Sequence, residues 1–360
     1  MGRYHLMVLS GYLILAGLVL SCNRETVGTS SPESPVIFPP PPDTTRIQYL
    51  TRFSTSEDLD AKQGRLHRYL FGEEEPLGII KPYGVTVRGS KVYICDTGLA
   101  GLVILDLEEG SFEYFIPGGK GQLQLPINCC FDARDNLLIA DANRRQVVVF
   151  DKDRNYVASF GETGDFKPTD VEYHGGKIWV SNVQGHSVLG YHADTRELTD
   201  MIPGLEPGED GFIRQSTNIA WHKDILYVSD FGDFNVKQYS QDGEFLGVFG
   251  GYGSSPGRFT RPKGIALDPD DNLYVVDAAF ENTQIFNRGR ALLMYFGGPY
   301  EGPGGMWLPA AVEISHENLS YFQSYVDESF ELKYLVYVTN QYGPAKVNVY
   351  GFVEEKQRFP

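Results

Sequence analysis

Asn128, Asp170 and Asn218 each stand two residues past the start of a repeated apolar segment, at Pro126, Pro168 and Ser216. If those segments stand side by side around one axis, three oxygen-bearing side chains converge at one channel mouth. Glu172 then lies one step deeper and Glu313 faces it from the opposite side. Oxygen ligands with at least one carboxylate are what Ca²⁺ selects, so a divalent cation in a central channel is one expectation. The other is that these groups bind channel water or neighbouring backbone, as buried polar groups at such an axis must.

Further groups invite the same question. Lys81, Lys167, Arg261 and Lys263 flank the start of the apolar segment in three units, which predicts a basic cluster on one face. Such a cluster either receives an anionic partner or stands as solvated rim charge. Asp268, Asp270 and Asn272 begin like an EF-hand loop, but the sixth position is Leu273 and the twelfth is Ala279, so a hairpin turn is the better reading. His174 and His222 fall near turns, and His67, His186, His192 and His316 share no equivalent position. No paired nucleophile and base can be named from spacing. Cys95, Cys129 and Cys130 sit in strand-like runs and form no CxxC or CxxCH, which removes haem-attachment and zinc-ribbon chemistry. They read as small buried thiols, with one disulfide from Cys95 to Cys129 or Cys130 open in an oxidising compartment.

The elements that must position these groups come from a repeat. RPKGIALDPDDNLYVVDA, ending near Asp277, has copies that end at Asp96, Asp141, Asn182, Asp230 and Asn340. The spacings are 45, 41, 48, 47 and 63 residues, and all but the last suit one four-stranded propeller blade. In each unit strand a follows the proline, strand b ends on the Asp or Asn, strand c follows, and strand d closes on an aromatic-glycine step. The terminal Asp and Asn residues read as turn residues that accept backbone hydrogen bonds. The sixth unit lacks strand d, and RLHRYLFG, residues 65–72, has the pattern to supply it from the N-terminal side, leaving no open edge. Residues 46–54 read as an extra outer strand or a lid. The fold class is therefore all-β, a six-bladed β-propeller with an N-terminal strand closing the last blade. Along strand a, offsets three and five, such as Val85 and Val87 or Ile219 and Trp221, should pack between blades. Offsets two and four belong nearest the axis.

The proline, GIALD, NLYVVD and later aromatic-Gly together resemble the NHL repeat of six-bladed propellers, over residues 65–352 and most fully in the fifth unit. VTNQYGPAKVNVYGF, residues 338–352, resembles lipid-anchored NHL propellers of electron-exporting bacteria. That resemblance implies a non-catalytic protein-binding or scaffold module accompanying multihaem cytochromes. Propellers of related shape also include a lyase with metal-bound histidines and lactonases with an axial divalent cation, so a propeller enzyme is the alternative.

Residues 1–21 carry one cation, Arg3, no acid, and an apolar stretch short for a membrane span, the pattern of a signal peptide. VLSC, ending at Cys22, resembles a bacterial lipobox, which implies a lipid on Cys22; Asn23 after it favours the outer membrane. Residues 22–45 are rich in Pro, Ser and Thr and read as a tether, leaving 46–360 as the propeller. The formal charge of −16 argues against nucleic acid as a partner, because phosphate contacts need a cationic surface. The expected partner is another envelope protein, with the insertion at 315–333 either a contact or a cover for the closing blade.

Overall fold

The strands and turns follow the repeat. In a computed structural model, which describes residues 34–59, 75–161 and 164–356, five four-stranded antiparallel sheets and one five-stranded sheet make six blades. The five simple blades span residues 82–115, 126–160, 168–202, 216–250 and 262–297. Their second and third strands are buried on both faces, as in Gly101–Asp106 and Leu137–Asp141, so they read as unbroken apolar runs. Fourth strands such as Phe245–Gly250 alternate exposed and covered residues because one face meets solvent.

The core is divided rather than central. Six apolar clusters each fill the space between two neighbouring blades, from Cys95 with Ile139 between the first and second to Val85 with Leu335 between the first and sixth. Six interfaces for six blades mean a closed ring, so every blade shields both faces of its neighbours' inner strands.

Closure uses a different segment from the one the repeat suggests. Ile47–Phe53 pairs antiparallel with Val347–Glu355 and completes the last blade, and Ile37–Phe38 adds a further strand outside it. Residues 65–72 lie outside the described residues, and the position expected for them beside Val347–Glu355 is taken. Ile47 packs toward the fifth blade while Leu50 and Phe53 pack toward the first, so the closing strand serves both interfaces. The folded unit thus begins at Pro35, inside the segment expected to be tether. The insertion turns inward: Phe322 is 0 % exposed and rings with Phe53 and Tyr337, while Gln48 bonds the Tyr325 carbonyl and the Asp327 N–H. Among the described residues no helix is long and apolar enough to cross a membrane.

Candidate functional site

The six inner strands, Pro82–Arg88, Pro126–Phe131, Pro168–His174, Ser216–His222, Pro262–Leu267 and Pro309–Ser315, surround the axis. Their starting ends are pinned by the Asp or Asn that closes each second strand. Asp277 accepts the N–H groups of Thr260, Arg261, Ala279 and Phe280 at 2.8–3.2 Å. Asp96 does the same for Ile80, Lys81, Gly98 and Leu99. The Asn182 and Asn340 side-chain oxygens each take one such donor, from Lys167 and Trp307. The terminal residue of the repeat is therefore a staple that fixes where the next inner strand begins. In the fifth blade's hairpin Asp268 likewise accepts the Asp270 and Asn272 N–H groups, so DPDDN is a turn.

Just inside those ends the ring is tight. A Cβ on Gly264 would lie 2.5 Å from Ala311 Cα, and one on Gly84 2.7 Å from Asn128 Cα, so only glycine lets these strands approach. Asn128, Asp170 and Asn218 meet here as expected, but at the closed floor of a cup and not at a channel mouth. The Asp170 carboxylate receives Asn128 Nδ2 at 2.5 Å and the Val171 N–H at 2.8 Å on one oxygen. The other receives the Ile219 N–H at 2.8 Å and Asn218 Nδ2 at 3.3 Å. Burial pushes the Asp170 carboxyl up to about 7, against the pull of these four donors. The amides turn nitrogen, not oxygen, toward the carboxylate, and no group of three His, Cys, Asp or Glu among the described residues is placed to hold a metal. Asp170 and the two amide nitrogens thus form the hydrogen-bonded arrangement, while Asn218 Oδ1 is buried with no hydrogen-bond partner among the described residues.

From the floor the strands diverge into a cavity of about 330 Å³ that opens at the hairpin end. Glu172 and Glu313 face it, with Thr86 and Cys130. The Glu172 carboxylate accepts the Trp221 N–H at 2.8 Å, and Glu313 accepts the Thr86 hydroxyl at 3.4 Å and the Val87 N–H. Both touch the cavity yet have protein on every other side. Burial pushes Glu313 up to about 8, and burial pushes Glu172 well above the carboxylate range, with the Asp170 and Glu313 charges adding. At neutral pH the Glu313 side chain is then mostly a neutral acid in the wall. Burial also raises the Cys130 thiol, helped by Glu172.

Offset three behaves as the alternation predicts, since Val85, Val171 and Ile219 are buried between blades. Offset five packs there too but less completely: Trp221 is buried, and Val87, Phe131, Tyr173, Leu267 and Ile314 lie partly buried against the same inter-blade clusters while also lining the upper wall of the cavity, because the splaying strands cover one another less. At the mouth His174 stacks on Trp221 with rings 5.0 Å apart and 3° from parallel. His222 Nε2 meets Asp271 Oδ1 at 2.6 Å, and Lys223 with His222 holds the Asp271 carboxyl below its usual range. This pairing joins residues on adjacent blades and is invisible to repeat spacing.

The basic cluster is real in part. Lys81 and Arg261 flank Lys263 closely enough to disfavour its charge. Lys167 stands exposed on the third blade. Lys263 is no rim charge, being 6 % exposed. Cys95, Cys129 and Cys130 are free thiols, the first two buried.

Fold and site define a six-bladed β-propeller with a one-ended axial cup. No protein-family model matches the chain, and no curated protein matches it in sequence. Solved structures share the architecture. Virginiamycin B lyase from Staphylococcus aureus aligns with TM-score 0.52 at 14 % identity over 75 % of this chain and 80 % of that one. A gluconolactonase from Xanthomonas campestris aligns with TM-score 0.55 at 13 % identity over 88 % and 91 %. A protein of unknown function from Bacteroides thetaiotaomicron aligns with TM-score 0.56 at 12 % identity over 77 % and 70 %. At such identities the likeness carries the fold alone.

Proposed function

We propose that the chain is a lipid-anchored NHL-type propeller of the bacterial envelope whose axial cup receives part of a partner protein, binding it without chemistry. The observation that supports this reading is the state of the cup's polar groups. Asp170 is saturated by four donors, and Glu172 and Glu313 are each tied to a backbone N–H of the next inner strand. These groups hold the ring's shape. The cup presents Val87, Phe131, Tyr173, Leu267 and Ile314 within a lining whose exposed surface is mainly polar, from Thr86, Arg88, Glu172, His222 and Glu313 among others, which suits a short loop offering both hydrogen-bonding and apolar groups. The lipid would sit on Cys22, which lies outside the described residues. A multihaem cytochrome is the first partner to test, on the sequence resemblance.

Catalysis at an axial divalent cation, the alternative, would have to draw on Asp170, whose two oxygens already accept four hydrogen bonds, and on Asn218 Oδ1, which has no hydrogen-bond partner among the described residues. The test is chemical cross-linking on intact envelopes of wild type and of Ala266→Phe, which fills the cup. A partner captured by wild type and lost from the filled variant is expected, with Cys22→Ser leaving the membrane fraction. Recovery of the chain always alone would sink the reading.

A further inference from the structure

At the end of the axis opposite the cup, Lys263 is buried without a counter-ion. Its ammonium donates to the Tyr83 hydroxyl at 3.1 Å and lies 4.5 Å from the centre of the Tyr83 ring. No carboxylate among the described residues pairs with it. Among the described residues Lys81 and Arg261 also join no ion pair, and Lys81 rests over the Tyr342 ring at 5.5 Å. The carboxylates of the adjoining staples do not compensate them. Asp96 and Asp277 are 0 % exposed and both their oxygens are taken by backbone N–H groups, including those of Lys81 and Arg261 themselves.

Three cations with no ion pair among the described residues, two of them set over tyrosine rings, are unusual in a chain of formal charge −16. Burying an ammonium with no anion costs stability, and nearby like charge adds to that cost. Burial, then Arg261 and Lys81, push the Lys263 amine down to about 7. Burial pushes the Tyr83 phenol up to about 12, so its O–H keeps its proton. Since Tyr83 oxygen accepts from Lys263, that proton is left to give elsewhere.

We propose that Lys263, Arg261, Lys81 and Tyr83 form a seat for a small oxyanion, the carboxylate or phosphate group of a ligand, on the face where the inner strands begin. The donor set fits that chemistry: the Lys263 ammonium and the Tyr83 phenol meet, and the Arg261 guanidinium and the Lys81 ammonium lie near enough to act on Lys263. An anion there supplies the missing counter-charge and favours the protonated amine, so above neutral pH binding draws in a proton. The charged and titratable groups facing that amine are Tyr83, Arg261 and Lys81, and the buried Asp170 carboxylate at the cup's floor lies near enough to act on Tyr83.

The test titrates the full chain with inorganic phosphate and with succinate, against chloride at matched ionic strength. Calorimetry at pH 8 in two buffers of different ionisation enthalpy reads proton uptake, and thermal melting reads linkage. A saturable response to at least one oxyanion and none to chloride is expected, with proton uptake on binding. Lys263→Met should weaken it by about ten-fold or more while melting no lower than wild type, since a buried unpaired charge is gone. Arg261 is exposed, so Arg261→Gln leaves the fold intact and should also weaken binding, whereas Lys167→Gln should not. No saturable response to either oxyanion, or an affinity unchanged in both Lys263→Met and Arg261→Gln, overturns the proposal.

Discussion

The staple at Asp277 can be weighed against its weaker counterpart. Asp277 is 0 % exposed and holds four backbone donors at 2.8–3.2 Å, while the Asn182 oxygen holds one, from Lys167 at 2.8 Å. A hydrogen bond to a charged acceptor contributes about 1.5–3 kcal/mol, and an abandoned buried donor costs a similar amount. Arg261 and Ala279 stand at the surface, so their N–H groups recover part of that loss through water. Asp277→Ala should therefore cost about 3–5 kcal/mol, and Asn182→Ala about 1 kcal/mol. Asp277→Asn keeps one accepting oxygen, the arrangement the chain itself uses at Asn182 and Asn340, and should fall between them. Urea unfolding followed by tryptophan fluorescence gives all three values. If Asp277→Ala loses less than about 1 kcal/mol, or no more than Asn182→Ala, the staple is not what fixes the inner strand.

Gly264→Ala places a methyl 2.5 Å from Ala311 Cα and 2.8 Å from Val312 N. Two blades must part, and thermal melting should show a loss of about 1–3 kcal/mol. Glu313 in the folded state titrates near 8 against 4.5 unfolded, so the fold keeps a proton that the unfolded chain has released, and stability falls as pH rises across that window. Glu313→Gln should flatten this slope and exceed wild type by about 1–3 kcal/mol above pH 8, after discounting for contact with the cavity; parallel pH profiles would contradict it. Lys237 is 3 % exposed and bridges Asp230 at 2.7 Å, Asp233 at 2.5 Å and the Phe212 carbonyl. Lys237→Met leaves Asp230 buried beside no cation and should lower stability by about 3 kcal/mol in urea melts.

The repeat made much of this legible. Strand a offsets alone placed Asn128, Asp170, Asn218, Glu172 and Glu313 around one axis, because a strand's side chains alternate and all six inner strands share one register. Spacing gave no sign that His222 would meet Asp271, since that contact crosses from one blade to the next. It misidentified the closing strand because Ile47–Phe53 lacks the aromatic-glycine ending that marks a strand d, and qualifies instead by offering Ile47 to one interface and Leu50 and Phe53 to the other.

By itself, then, the sequence determined the number of blades, the stapling residues and which side chains turn toward the axis, since these follow from local periodicity and turn chemistry. Only the tertiary structure decided which end of the axis is closed. That depends on how near the strands come, and Gly84 and Gly264 let the ring tighten at one level while bulkier neighbours spread it at the next. It also decided the state of Lys263, whose ammonium bonds Tyr83, 180 residues away in the chain. A side chain's charge is set by everything around it, and what surrounds Lys263 is assembled only when the ring closes.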